Sequence, residues 1–213
     1  MIISNGKVLK ILTDREQTWD QLLQISTAGR DDANADEYRY PYEPTPYCVL
    51  ERLADSGLIG REDVVLDYGC GKGRVDFFLT RQTQARVIGI EYDVRIYLDA
   101  LKNQQSANAG AKTDFVLINA EEYEVPPEVN RCYFFNPFSV EILHKVMARI
   151  IESYYDHPRE IFLFFYYPSD EYVSHLMTVE ELEFYDEIEC DDLFQGDPRE
   201  RILIFQLPDY DYS

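Results

Sequence analysis

Basic residues are scarce in this 213-residue sequence. Lysine and arginine number 20 against 40 acidic residues, a formal net charge of −20, so the averaged surface repels nucleic acid and anionic lipid. That balance disfavours both as partners, without excluding a local basic cleft. It favours a basic protein or a small cationic molecule, and a plain solubility role for the charge stays open beside these. Cysteine is rare too. Cys48, Cys70, Cys132 and Cys190 lie far apart with no C-x-x-C pair, the pattern of reduced thiols rather than of a disulfide framework or zinc site. His144, His157 and His175 have no metal-ligand spacing, so no metal is expected. No segment approaches the roughly 20 apolar residues of a membrane span. The opening MIISNGKVLKIL has Lys7 and Lys10 inside its short apolar run and no small-residue cleavage site, so no secretory signal is expected and the expected location is the cytoplasm.

What is present points to a folded chain. A hydrophobic fraction of 46%, with 17 Tyr and 12 Phe, excludes a mainly disordered protein, and the length suits one compact domain with decoration. Residues 1–44 read as an N-terminal hairpin or helix followed by a linker lid, and residues 45–213 as the folded domain. Asn5-Gly6, flanked by apolar runs, suits a tight hairpin turn. Thr13 to Leu23 reads as a short helix, and RDDANADEYRYPYEPTPY, punctuated by Pro41, Pro44 and Pro46, as loop folded over the core. Thr45 is placed to cap a helix that Pro46 begins, that buries Val49, Leu50 and Leu53, and that stops at Gly57.

From Asp63 the chain alternates strand and helix. VVLDYG, RVIGIE, DFVLIN, RCYFFN and EIFLFFYY read as buried strands. RVDFFLTR, DVRIYLDALKNQQSANAG closed by Gly110, and VEILHKVMARIIESYY read as the intervening helices. A short helix at SDEYVSHLM then precedes two further strand-like runs, LEFYDEIEC and RILIFQL, separated by turn-prone residues. The expected fold is α/β: a doubly wound, mostly parallel seven-stranded sheet with an antiparallel final strand.

The chemistry sits in VVLDYGCGKGR. A strand ends in Asp67 and is followed at once by Gly69, Gly71 and Gly73 before a helix, so backbone can approach a ligand where a Cβ would clash. A dinucleotide fingerprint reads G-x-G-x-x-G and seats a pyrophosphate, for which a neighbouring carboxylate has the wrong sign. The turn here reads G-x-G-x-G, and no G-K-[ST] ending makes it a Walker loop. An acid at the turn suits instead a phosphate-free nucleoside carrying cationic groups. Glu91 closes the next strand, where a ribose-binding acid belongs.

These features resemble the class I S-adenosylmethionine-dependent methyltransferases over about residues 45–207: VVLDYGCGKGR is similar to their first motif, VIGIEYD to the region with the ribose acid, INAEEY to the adenine-contacting region, and FFNPF to the end of their fourth strand. The resemblance implies S-adenosyl-L-methionine as cofactor. It implies that Asp67, Gly69 and Gly71, in a loop with Cys70 and Gly73, hold the methionine part, that Glu91 with Tyr92 holds the ribose, and that Asn119 with Ala120 meets the adenine. Asn119 stands where the family often has Asp, and Glu121 and Glu122 are alternatives for that contact. Asn136-Pro137-Phe138 is similar to the motif of amine-modifying members but lacks their second proline. Asn136 either accepts from a substrate amine beside a packing Phe138, or only fixes the turn made by Pro137. The YRYPYEPTPY segment crosses the pocket in several relatives, which makes Tyr42, Thr45 and Tyr47 candidates for cofactor contact or for packing over the sheet edge. Lys72 and Arg74 read as support for the loop or for solubility. The expected activity is N-methylation of a protein side chain or a small amine. A nucleic-acid base methyltransferase and a non-catalytic S-adenosylmethionine-binding protein are the alternatives.

Overall fold

The computed structural model describes residues 5–108 and 112–209, with backbone alone for residues 5–13. The first long element, α1, is a helix over Asn5–Leu23. The Asn5-Gly6 hairpin is therefore corrected: those residues open a helix. An Asn-Gly turn needs two flanking strands to pair, whereas a helix once anchored extends at one hydrogen bond per added residue. The anchor is the helix's second half, where Leu23 is buried and the Trp19 ring lies edge-on to Phe78 with its Nε1 donating to Glu51.

Helix α2 runs Tyr47–Asp55 and buries Val49, Leu50 and Leu53 as expected. It starts one residue late. Pro46 occupies the capping position, and the Thr45 hydroxyl pairs instead with that of Tyr133 at 2.9 Å, because a phenol buried to that depth requires a partner. The alternation that follows comprises β1 (Val64–Tyr68), α3 (Arg74–Thr83), β2 (Arg86–Glu91), α4 (Val94–Ser106), β3 (Thr113–Leu117), β4 (Arg131–Phe134), α5 (Val140–Asp156), β5 (Ile161–Tyr166), α6 (Asp170–Leu176), β6 (Glu183–Glu189) and β7 (Arg201–Leu207). Helix α4 ends at Ser106, and Gly110, expected to close it, lies outside the described residues.

The seven strands form one sheet in the order β3-β2-β1-β4-β5-β7-β6. β1 to β5 pair in parallel, and β7 runs antiparallel between β5 and β6. The side chains of β1 alternate between two cores, as strand geometry demands. Leu66 and Tyr68 face the layer completed by α5, and Val65 faces the layer completed by α2 and α3. Tyr68, Phe134 and Phe165 stack across β1, β4 and β5 with centroids 4.6 and 4.5 Å apart, a rigid aromatic floor near the strands' carboxyl ends. Among the described residues no helix is long and apolar enough to cross a membrane, and no cluster of three metal-binding side chains occurs.

Candidate functional site

Parallel strands β1, β2 and β4 end together, and the crossover after each leaves a gap at the point where the strand order reverses. A crevice of about 1010 Å³, counting its open mouth, occupies that gap. Asp67, Glu91 and Asn119 all line it, with Gly69, Cys70, Tyr92 and Ala120 between them. Asp67 is only 2% exposed, and its Oδ2 has no hydrogen-bond partner among the described residues. Burial, and then the neighbouring charge of Asp76 and that of Glu91, hold its carboxyl well above the usual carboxylate range. Glu91 is better supported. Burial raises its pKa, opposed by backbone N–H donors, because it accepts from Asp93 and Tyr92 at 2.9 Å and from Gly71 at 3.1 Å. Those bonds tie the end of β2 to the glycine turn.

The three glycines divide their work. Gly71 has φ +58°, and a Cβ on it would run into the Tyr42 ring. Gly73 points away from the crevice, and a Cβ there would lie 2.7 Å from Phe115 and 2.8 Å from Phe77, so it serves helix-to-strand packing. Gly69 lines the crevice against Pro137. The Cys70 thiol is pushed well up by burial and stays neutral.

The polar segment before α2 crosses the mouth as a strap. Asp31 and Tyr42 exchange backbone hydrogen bonds at 3.0 Å, and Tyr40 N–H donates to Pro137 while Ser139 N–H donates to Tyr38. On the opposite rim, Asn34 donates to Asp93 at 2.8 Å, the Tyr92 hydroxyl donates to the Asn34 carbonyl, and Arg95 pairs with Asp31. Arg39 spans the two, its guanidinium 5.0 Å above the Tyr92 ring and 3.3 Å from Asn119 Oδ1. Thr45, Tyr133, Phe138 and Ile142 wall the end of the crevice next to β4.

Besides Gly71 and Gly73, which support the loop, two of the candidate residues do not line the crevice. Tyr47 is one of them. Its hydroxyl donates to Asp20 at 2.6 Å, and its ring lies 4.3 Å beneath the Arg74 guanidinium. Asn136 turns away as well, with Nδ2 donating to the Tyr167 carbonyl and Oδ1 accepting from Ser169 N–H at 3.4 Å. Its φ of +39° is a left-handed conformation that asparagine tolerates, so of the two readings offered for it the turn-fixing one matches this placement. Asn136→Ala is accordingly expected to unfold in denaturant about 1–2 kcal/mol more easily than Asn136→Gly, which keeps the backbone free to adopt that angle. Phe138 does line the crevice, edge-on to Tyr68 at 6.5 Å. Arg74 proves more than a surface support: its side chain is 3% exposed and joins Glu16, Asp20, Thr27 and the Thr45 carbonyl. Arg39, Asn34 and Tyr133 carried no sequence signal. Arg39 lies in the strap segment but nothing marks it there, Asn34 and Tyr133 sit in no motif, and only the path of the strap and the packing of β4 bring them to the site.

No protein-family model matches this chain. Over 86 residues it is 27% identical to a protein-lysine N-methyltransferase of Saccharolobus islandicus, covering 40% of this chain and 53% of that protein. The chain thus spans about half the length of that curated relative. Among solved structures it is similar to an RNA methyltransferase from Salinibacter ruber in complex with S-adenosyl-L-homocysteine, at 18% identity and TM-score 0.55 over 79% of this chain and 95% of that one. It is also similar to a TehB-like SAM-dependent methyltransferase from Corynebacterium glutamicum, at 17% identity and TM-score 0.55 over 92% and 98%. The strand order, the single reversed strand and these likenesses together give the chain the fold of the class I S-adenosylmethionine-dependent methyltransferases.

Proposed function

We propose that this protein is an S-adenosylmethionine-dependent methyltransferase that methylates an amine, on a protein side chain or on a small molecule. The observation that carries the reading is Asp67 Oδ2, buried at the crevice beside a glycine turn with no hydrogen-bond partner among the described residues. A buried carboxyl oxygen without a donor is costly by itself, and a cation placed against it favours and satisfies the ionised form. The donor set also argues against a diphosphate, since Asp67 and Glu91 both present negative charge to the crevice.

In this reading Asp67 accepts from the cofactor's ammonium, Glu91 accepts from ribose hydroxyls, and Asn119 with Ala120 meets the adenine. Gly69, Cys70, Gly71, Gly73 and Tyr92 shape the loop around it, and the linker over residues 31–44 acts as the lid. Bound there, S-adenosylmethionine supplies a methyl group on a sulfonium, open to in-line displacement. What remains for the protein is alignment and exclusion of water. Phe138, Tyr133 and Ile142 supply an apolar wall at the β4 end, and an amine pressed against such a wall is biased toward its neutral, nucleophilic form.

The acceptor class follows from charge and likeness. A net charge of −20 attracts a basic acceptor, and the curated relative is a protein-lysine N-methyltransferase. The test is incubation of cell lysate with the protein and methyl-labelled cofactor, followed by separation of protein, nucleic acid and small molecules. Label is expected in protein or in small amines. Label confined to nucleic acid would refute the acceptor class, and tight cofactor binding with no labelled fraction would point to a non-catalytic binding protein.

A further inference from the structure

Asp76, in the first turn of α3, is a carboxylate that the scheme above leaves unused. Its side chain is fully buried, and neither of its oxygens has a hydrogen-bond partner among the described residues. It lies beside Asp67, whose Oδ2 is equally unpartnered, close enough for the two carboxyls to interact directly. Gly89 on β2 makes the room: a Cβ there would fall 2.5 Å from Asp76 Oδ1. The groups facing the pair are Glu91 from β2, the Cys70 thiol of the glycine turn, and the Tyr133 phenol from β4. The thiol donates to the Gly71 carbonyl at 3.8 Å and the phenol pairs with the Thr45 hydroxyl at 2.9 Å, so neither relieves the pair.

An ionised carboxylate only accepts, so two of them side by side in a dry site satisfy each other only through a shared proton. We propose that Asp67 and Asp76 share one proton, and that seating a cationic amine against Asp67 expels it to solvent. The pair then passes from one negative charge to two, and the ligand's ammonium compensates the added charge. Asp76 touches no ligand in this scheme. It is a positioning residue that sets the charge and orientation of Asp67. The inference rests on the cofactor assignment made above. In support, burial pushes Asp76 up to about 7, where a nearby cation has a proton to displace.

The test is calorimetric titration of the whole protein with S-adenosylhomocysteine at pH 6.5, in two buffers of different ionisation enthalpy. At that pH the ligand's α-amine, which titrates above the roughly 7.7–8.0 of a peptide α-amine, is already protonated. Buffer-dependent heats corresponding to release of up to one proton are expected. Affinity should rise with pH between about 5.5 and 7, by up to about tenfold per unit. Asp76→Asn should bind with neither the proton release nor the slope. Buffer-independent heats in the wild type overturn the proposal without any variant. Release retained in Asp76→Asn overturns it too, because the proton then resides on Asp67 alone or on Glu91. Absence of binding in every buffer overturns the cofactor assignment itself and removes the premise.

Discussion

Asp67→Ala is expected to weaken binding of S-adenosylmethionine by about 10- to 100-fold, and Glu91→Ala by at least as much. A hydrogen bond to a charged group is worth about 1.5–3 kcal/mol, and each 1.4 kcal/mol is a factor of ten in affinity. Asp67 Oδ2 has no hydrogen-bond partner among the described residues, so its loss falls on the ligand rather than on the fold. Glu91 differs, because its carboxylate also holds the N–H groups of Gly71, Tyr92 and Asp93. Removing it loosens the glycine turn as well as the ribose contact. Glu91→Gln, which retains one acceptor oxygen, should recover part of the stability but less of the affinity. Equilibrium dialysis measures the affinities and thermal melts the stabilities. Unchanged affinity in both alanine variants would mean that the cofactor site is wrongly assigned.

The second large effect is on stability. Arg74→Ala should destabilise the protein by about 3 kcal/mol, the lower part of the range for breaking a buried ion pair. Glu16 and Asp20, its partners, remain 22% and 13% exposed, which moderates the penalty. For a chain of this size that corresponds to a melting temperature lower by about 6–12 °C. Arg74 stands at the start of α3, immediately after the glycine turn, and reaches across to α1 and to the carbonyl of Thr45. Its loss should therefore free the N-terminal helix first, seen as faster hydrogen exchange in residues 14–30. Adding Glu16→Gln to Arg74→Ala should restore part of the lost stability, because one unpaired acid is then removed. A melting temperature unchanged by Arg74→Ala would refute this role.

Periodicity made the sheet legible, since Val64–Tyr68 and its successors are short β-branched or aromatic runs separated by helices of ordinary length. Asp67 and Glu91 were legible because a strand that ends in an acid before clustered glycines has few other physical uses. The errors came from local rules applied without tertiary context. Asn5-Gly6 has the propensity of a turn, but α1 anchored at Trp19 and Leu23 overrides it. Thr45 has the chemistry of a cap, yet the buried Tyr133 hydroxyl claims it. Tyr47 sits in the right segment, but the first residue of α2 faces Arg74 and not the crevice. Asn136 shows how far a motif reaches. Its position is as expected, while its side chain is consumed by the neighbouring turn. The contact between the rings of His144 on α5 and His175 on α6, 3.8 Å between centroids, also had no signal, because neither residue's own surroundings in sequence point to the other.

The reversed strand carries a consequence for how the molecule is made. Because β7 lies between β5 and β6, the earlier-synthesised β6 has no neighbour to pair with until residues 201–207 have emerged. A growing polypeptide can zip β1 through β5 in parallel while the ribosome is still working, yet it carries 183–189 as an acidic, unpaired stretch. Its charge keeps that waiting segment from joining other nascent chains. Completion of the sheet is thus a late event, fixed by the order in which the strands are translated.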